Sequence, residues 1–428
     1  MAAVPAAPGS ADAAVRDAVV AWLDTKWDPD CSVREWWAIV AAAGWSAPHF
    51  PVEWGGRALP ARALRVVREI FQEQGALMPP GGLGFLMAAP TIRTHGTPEQ
   101  IGRLVPPVYD GTVAWCQLFS EPGSGSDLAG LTTRAVRDGD RWVVSGQKVW
   151  SSMAMEADYG MLIARTDFDV PKHAGISWFA LPLDQPGVTI RPLREITGHS
   201  MFNEVFLDDA LVEHANLIGG ENNGWAVTQT TLQFERSGIG AGGTMTSFPP
   251  AGPKGGFLDL RAGAAATLEP PDTSMKVLTV PELLDLAREC GRADDPIVRQ
   301  SLARLVSYAR IGEWTAKRSR PGASGANAGL ANLGKIAQTR ITKLSVDTAL
   351  AILGPAGLQW APDGPRGGRY AEAFVFSAAS SIYGGTDQIQ RNVIGERVLG
   401  LPREPDPNKG LPFRDVLTNT NTNQSTAR

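Results

Sequence analysis

Three cysteines in 428 residues, Cys31, Cys116 and Cys290, are few, odd in number and widely scattered. Such a set builds neither a disulfide framework nor a metal-ligand spacing, and it suits a reducing, cytoplasmic compartment. The five histidines, His49, His95, His173, His199 and His214, also stand without ligand spacing. No continuous apolar run approaches the ~20 residues that a bilayer span needs. Neither sign of charge dominates. A net charge of -4 provides no field for nucleic acid. The first residues, MAAVPAAPGSADAA, are rich in Ala and Pro but lack a charged start followed by an apolar segment. They read as a loose leader, not a signal peptide.

What is present is ordinary globular composition, 43% hydrophobic and 20% charged, in a chain too long for one small core. The first part, 1–113, carries apolar residues at three- and four-residue spacing in AAVRDAVVAWLDTKW and ARALRVVREIFQEQG, a helical pattern. From 114 to 220 the pattern changes to short β-branched and aromatic runs: RWVVSGQKVWSS, YGMLIART, GISWFALPL, GVTIRPL and NEVFLDDALV. Asp, Gly and Pro separate them, so a meander closing as a small barrel or sandwich is expected. From 221 to 405 long amphipathic segments return, the pattern of an antiparallel bundle. A Pro/Gly/Ala-rich stretch, 248–274, interrupts it as a mobile loop or an interface segment. The polar tail from Arg403, with 406–428 as a flexible end, is expected to fray. The fold class is therefore α+β and multidomain: helical domain, β domain, helical bundle.

The most specific segment is AWCQLFSEPGSGSDLAG. Its glycines let backbone approach a ligand closely, and successive N–H groups with the hydroxyls of Ser120, Ser124 and Ser126 can face phosphate or a flat heteroaromatic edge. Taken alone, such a loop is more often only a turn. Downstream, SGQKVWSS sets Trp150 beside Ser151 and Ser152. A flat aromatic beside two hydroxyls suits a ring ligand, although a Trp there also serves as barrel core.

These two segments, with NEVFLDDALV and IYGGTDQIQRNVIGERVLG, resemble the acyl-CoA dehydrogenase flavoproteins in order and near spacing, from about residue 15 to about residue 404. The resemblance implies an N-terminal helical domain, a middle β-barrel and a C-terminal four-helix bundle, with FAD between barrel and bundle. It assigns flavin contacts to Gln117, Phe119, Ser120, Gly125, Ser126, Trp150 and Ser152, and further FAD contacts to Thr386 and Gln388. Thr is usual where Ser120 and Ser152 stand; the hydroxyl is kept. The implied reaction removes a proton from Cα and a hydride from Cβ of an acyl thioester. It needs a carboxylate of raised pKa and donors to the thioester oxygen, one of them the backbone N–H at Gly384.

Most members carry the catalytic Glu at the position of Gly384. A branch resembling the isovaleryl-CoA and long-chain enzymes carries it on the first bundle helix, just before an Arg. Here that pattern is Glu235 followed by Arg236. Helix geometry points the same way: Trp225, Thr228, Leu232, Glu235 and Ile239 share one face, so the carboxylate turns inward. The bland alternatives are an ion pair with an Arg or a solvated face. Asp387 is the weaker candidate base, and Arg236 orients the site rather than reacting.

Two departures concern the AMP end of FAD. The Arg-x-x-Phe-Gly segment that normally holds a neighbour's cofactor is missing. In AILGPAGLQ, Ala351 and Pro355 replace a Gln and a Gly. Losing a cation and an amide weakens a pyrophosphate site. Either Arg292 or Arg299 compensates in a homo-oligomer, or a second acyl-CoA dehydrogenase chain shares the FAD in a heteromer. Further alternatives are a non-catalytic interaction subunit and a nitroalkane oxidase or flavin monooxygenase variant. An acyl-CoA substrate and an electron-transfer flavoprotein as acceptor complete what the resemblance implies.

Overall fold

The computed structural model describes residues 10–240, 251–268, 278–318, 329–361 and 363–416. The first nine residues, read as leader, and the ends of the 248–274 stretch lie outside them.

Helices α1 (Ser10–Lys26), α2 (Val33–Ala42), α3 (Ala63–Glu73), α4 (Ala89–His95), α5 (Pro98–Leu104) and α6 (Pro106–Tyr109) form the first unit. Local sequence fixes two of their starts. Ser32 and Glu35 cap α2 reciprocally, and Thr97 and Gln100 do so for α5, which satisfies amide donors that a helix end leaves unpaired. Trp36, Trp37 and Phe71 are fully buried at its centre. Gln100 then donates to the carbonyls of Ala215 and Leu217, both at 2.9 Å, and so ties the helices to the next unit.

That unit is one sheet of eight strands: β1 (Trp115–Leu118), β2 (Arg134–Asp138), β3 (Arg141–Ser152), β4 (Tyr159–Arg165), β5 (Ile176–Pro182), β6 (Val188–Leu193), β7 (Phe202–Glu213) and β8 (Leu217–Ile218). Strands β3 to β7 coincide with the apolar runs of the sequence. The expected meander does not form. The order is β6-β7-β3-β2-β4-β5-β8, with β1 parallel beside β4. Because β2 and β7 occupy both edges of β3, residues 153–158 carry the chain away from it to β4 instead of closing a hairpin. The sheet curls round one interior as a barrel. Trp142 of β3 meets Phe179 of β5 edge to face at 5.5 Å, although the two strands are not neighbours. Strand β4 is buried on both faces, Leu162 and Ala164 inward and Met161 and Ile163 towards the helices. That explains its unbroken apolar run.

The last unit holds α7 (Gly224–Gly240), α8 (Ala262–Ala266), α9 (Val280–Glu289), α10 (Pro296–Arg318), α11 (Gly329–Leu353), α12 (Arg369–Ser377) and α13 (Asp387–Val393). Helix α11 is central and packs against α7, α9, α10, α12 and α13. Contrary to the expectation of no such segment, Asn332–Leu358 is long and apolar enough to cross a membrane. Val346, Ala349 and Ile352 on it are buried by neighbouring helices, which do for this face what lipid would do for a span.

One alternative is selected and one expectation is corrected. Of the two readings of the Pro/Gly-rich stretch, the described part, 251–268, is not a free loop but a segment packed at an interface. Phe257, Leu258, Ala262 and Ala265 are buried in the N-terminal core, and Lys254 donates to the carbonyl of Ala157 at 2.6 Å. Its apolar residues are few, but helices α1 to α3 give them a place to go. The tail does not fray from Arg403 either. Phe413 and Val416 are buried, and the amides of Phe413 and Arg414 donate to the carbonyls of Val170 and Phe168. Only 417–428 lie outside the described residues.

Phe257→Ala is expected to destabilise the N-terminal unit by about 3–5 kcal/mol, the cost of truncating a buried Phe, and to speed proteolysis within 251–268. Thermal unfolding and limited proteolysis measure both. An unchanged cleavage rate would mean that the docking of this segment does not depend on Phe257.

Candidate active site

The Gly/Ser loop runs from the end of β1 to β2, and one buried carboxylate shapes it. Glu121 and Ser124 exchange backbone hydrogen bonds of 2.9 and 3.1 Å, which closes the turn. The Glu121 carboxylate accepts from Thr132 N and Oγ1 (2.7 and 2.9 Å), from Thr133 N (2.9 Å) and from Lys148 Nζ (2.9 Å). Lys148 is fully buried and also donates to the carbonyl of Phe119 at 3.1 Å. Burial alone would push the Glu121 carboxyl up. The Lys148 charge and the hydrogen bonds outweigh it and bring the group down to about 2. A Cβ on Gly125 would meet nothing, and its φ is not left-handed. The fold therefore does not require glycine there, whereas a closely approaching ligand does. Gly125 and Ser126 are exposed, Ser120 is half-buried, and Phe119 is buried.

Val149 N donates to Ser120 O at 2.9 Å and brings the end of β3 against this loop. A register shift between Lys148 and Ser151 breaks the ladder there. Trp150 consequently has φ 61 and is 58% exposed, edge-on to Phe202 at 5.8 Å. Its reading as barrel core is excluded. A bulky residue held at positive φ with its ring in the open is the kind of strain that collects at ligand sites. Ser151 Oγ is buried without a partner, and Ser152 is half-buried. Exposed indole, nearby hydroxyls and an unconstrained glycine fit a planar heteroaromatic group.

Glu235 lies inward on α7, 4% exposed. The buried stripe is Gly224, Val227, Thr228, Thr231 and Glu235, with Trp225 and Leu232 half-buried at its margins. The expected face is thus rotated by about one residue, and the side chain of Ile239 lies outside the described residues. Two polar contacts set the rotation against α4: Thr91 Oγ1 to Thr231 Oγ1 at 3.1 Å, and His95 Nε2 to Thr230 Oγ1 at 2.8 Å. The Gln117 amide donates to Glu235 Oε2 at 3.4 Å, so β1 presents this side chain to the carboxylate. Glu235 makes no ion pair among the described residues, which removes the Arg-paired alternative. Burial pushes its carboxyl up, opposed by Gln117 and the charge of Arg236. Arg236 in turn lies near Arg397, which brings the end of the C-terminal motif to this helix.

In that motif Gly384 and Gly385 have φ 63 and 80. The Gln390 amide donates to Gly384 O at 2.9 Å. A side chain at 384 would be strained in this turn, which accounts physically for glycine. Thr386 spends its hydroxyl capping α13, accepting from Ile389 N at 3.1 Å, and Gln388 is exposed. Asp387 is committed to Lys335 at 3.3 Å and Thr339 at 3.1 Å, so it is not a free base. No hydrogen bond among the described residues joins Thr386, Asp387 or Gln388 to the Gly/Ser loop. The sequence reading missed the Lys148–Glu121 and Gln117–Glu235 contacts. A lysine inside an apolar strand was the one available signal.

The arginines expected to compensate at the AMP end are paired. Arg292 bonds Asp295 at 2.6 Å, and Arg299 lies 3.8 Å from Asp294. Arg366 and Arg369, beside the altered AILGPAGLQ segment, pair with Glu289 and Glu282. Of the cysteines, all are free, and burial pushes the Cys116 thiol up to about 12, which makes it inert. No cluster of metal-ligating side chains occurs among the described residues.

Residues 10–112, 116–210 and 280–399 match the N-terminal, middle and C-terminal domains of acyl-CoA dehydrogenase. The acyl-CoA dehydrogenase IpdE1 of Mycobacterium tuberculosis is 36% identical over 371 residues, covering 87% of this chain and 88% of that one. The ChsE4-ChsE5 complex from Mycobacterium tuberculosis contains a chain of TM-score 0.67 and 26% identity, covering 94% of this chain and 100% of that one. The Tcur3481-Tcur3483 steroid acyl-CoA dehydrogenase gives a TM-score of 0.69 at 24% identity, with 93% and 99% covered, a likeness of fold.

Removing one partner of the buried pair leaves the other charge uncompensated. Lys148→Met should cost about 3–5 kcal/mol of stability, and Lys148→Met with Glu121→Gln should recover much of it. Urea unfolding of the three proteins tests this; equal losses in single and double variants would show that the pair is not the cause. The folded Glu121 carboxyl lies below its unfolded value of about 4.3. Its contribution is therefore complete above that pH and lost as pH falls towards 2, so Glu121→Gln should flatten acid unfolding in this window.

Proposed function

The chain belongs to the acyl-CoA dehydrogenase family of flavin-dependent oxidoreductases, and from that premise we propose that it oxidises the Cα–Cβ bond of an acyl-CoA thioester to the trans-2-enoyl thioester, with FAD as cofactor and Glu235 as base. The observation that carries the assignment is a buried carboxylate on α7 with no ion pair among the described residues, hydrogen-bonded by the strand that leads into the Gly/Ser loop. When bound, the flavin supplies the hydride acceptor for Cβ. The protein's own work is the other half. Ionised Glu235 takes the Cα proton, and its raised proton affinity makes it a stronger base than an exposed carboxylate. Backbone N–H at Gly384 is the proposed donor to the thioester oxygen as enolate charge builds there. Trp150, Phe119 and Gln117 would bound the ring side, Ser120, Gly125, Ser126 and Ser152 would hold its edge, and Thr386 and Gln388 would contribute from the C-terminal motif. Arg236 orients Glu235.

The FAD is proposed to be shared with a second, unlike dehydrogenase chain. Arg292, Arg299, Arg366 and Arg369 are all held by this chain's own carboxylates, which leaves none of them unpaired for a pyrophosphate. One similar structure, at 26% identity, is named for a complex of two chains. An acyl-CoA thioester is the proposed substrate, an electron-transfer flavoprotein the acceptor, and the cytoplasm the location. The same paired arginines also favour a second reading, a subunit that lends ring-side contacts without turning over. Glu235 separates the two.

Protein purified alone is expected to hold well under one FAD per chain by visible absorbance, rising to about one per pair on co-expression with the partner dehydrogenase. In that complex Glu235→Gln should keep its flavin and lose at least about a thousandfold in flavin reduction by acyl-CoA. Near-native reduction would favour the lending subunit, and consumption of O2 in preference to a dye acceptor would favour the oxidase variant. Because folding raises this carboxyl's proton affinity, stability falls as pH rises through its titration. Glu235→Gln is thus expected to be at least as stable as the parent at pH 7, while the parent's rate rises with pH through a value above the ordinary carboxylate range.

A further inference from the structure

We propose that the carboxy-terminal strap, residues 401–416, holds the Gly/Ser loop in its binding shape by seating Phe413 over Arg165. The identity of the loop's ligand rests on the function proposed above; the mechanical link does not.

Arg165 is a fully buried cation at the end of β4 and forms no ion pair among the described residues. Burial brings its guanidinium down to about 10. Its donors go to backbone carbonyls: Nη2 to Ala129 at 2.7 Å, Nε to Leu131 at 3.2 Å and Nη1 to Lys172 at 3.0 Å. Ala129 and Leu131 are the closing residues of the loop that carries Ser120, Gly125 and Ser126. The Phe413 ring centre lies 3.4 Å from the guanidinium carbon and shields it from water. A desolvated cation under an aromatic face gains more than an exposed one.

A second route runs beside the first. The strap's amides at Phe413 and Arg414 donate to the carbonyls of Val170 and Phe168, at 2.9 and 3.0 Å, and Arg414 pairs with Asp169. This fixes the turn after β4. On that turn the Lys172 carbonyl accepts from Arg165, and the Lys172 ammonium reaches back to donate to Asp127 at 2.8 Å. Both routes therefore end in the loop, one at Ala129 and Leu131, the other at Asp127. Arg165 acts as a positioning residue, and Phe413 is its cover. Glu121 and Lys148 fix the two ends of the loop, at Ser120–Glu121 and at Thr132–Thr133, and the strap acts through Arg165 and Lys172 on the segment 127–131 between them.

The test uses the full-length protein, with its partner chain where that is needed to retain FAD. It compares Phe413→Ala, Phe413→Tyr and a chain ending at Pro405. Two readouts are taken: amide hydrogen exchange across 120–131 without flavin, and the Kd of FAD by fluorescence quenching. Phe413→Ala and the truncation are expected to raise both by about tenfold, and Phe413→Tyr, which keeps the ring, to restore both. Faster exchange confined to 168–173, with 120–131 unchanged, would overturn the proposal. Faster exchange in 120–131 with an unaltered FAD Kd would uphold the link and instead count against FAD as the loop's ligand.

Discussion

The Glu121 carboxylate is the point on which the site depends. It is an ion in the interior, tolerable only because one cation and three further donors converge on it. Those donors come from two places in the chain, the residues entering β2 and the middle of β3, and Lys148 also donates to the Phe119 carbonyl at the end of β1. Satisfying one buried charge thus fixes where the Gly/Ser loop begins, where it ends and how β3 lies against it. Trp150 follows from this. Val149 is held to Ser120, Lys148 is held inward, and the ladder slips between them and Ser151, which leaves the indole outside.

A second constraint acts on α7. Its buried stripe carries two threonines and a glutamate, residues that would be poor filler in an ordinary helix–helix seam. The threonines are bonded across to α4 or back along the helix, so their polarity is satisfied. Among the described residues the glutamate has a single long hydrogen bond and no ion pair. An incompletely compensated buried carboxylate lowers stability at neutral pH. Retaining one beside the strand that leads into the Gly/Ser loop is consistent with the trade between stability and activity found at reactive sites. Both constraints meet at β1, whose four residues connect the carboxylate's hydrogen-bond donor to the loop that Glu121 organises.

Much of the architecture was legible in the residues. Apolar spacing located α1 and α3 and the bundle, and β-branched runs located β3 to β7, because these segments bury one face or two of a regular element. Strand β1 was not legible: WCQL is too short for a period and pairs in parallel with a strand some forty positions away. Topology was misread for a related reason. Turn residues show where strands end, but which edges pair depends on contacts distant in sequence, and β3 chose β2 and β7. Composition left the stretch at 251–268 open between loop and interface, and it misread the end of the tail, 413–416. A few apolar residues among Pro, Gly and Asp give no periodic signal, yet Phe257 and Leu258 in one segment and Phe413 and Val416 in the other found buried places.

The sequence by itself determined the order of the three units, the loop SEPGSGSD with Trp150 downstream, and the placement of the one carboxylate, Glu235, on the inward side of its helix. These follow from local rules: helical period, strand composition, and the need of close backbone approach for glycine. Tertiary structure alone decided which charges meet. It set Lys148 on Glu121, Gln117 on Glu235 and Phe413 over Arg165, and it withdrew Asp387, Arg366 and Arg369 into partnerships of their own. Those choices depend on through-space contacts between residues tens to hundreds of positions apart, whose energies come from burial and geometry and leave no periodic mark in the chain.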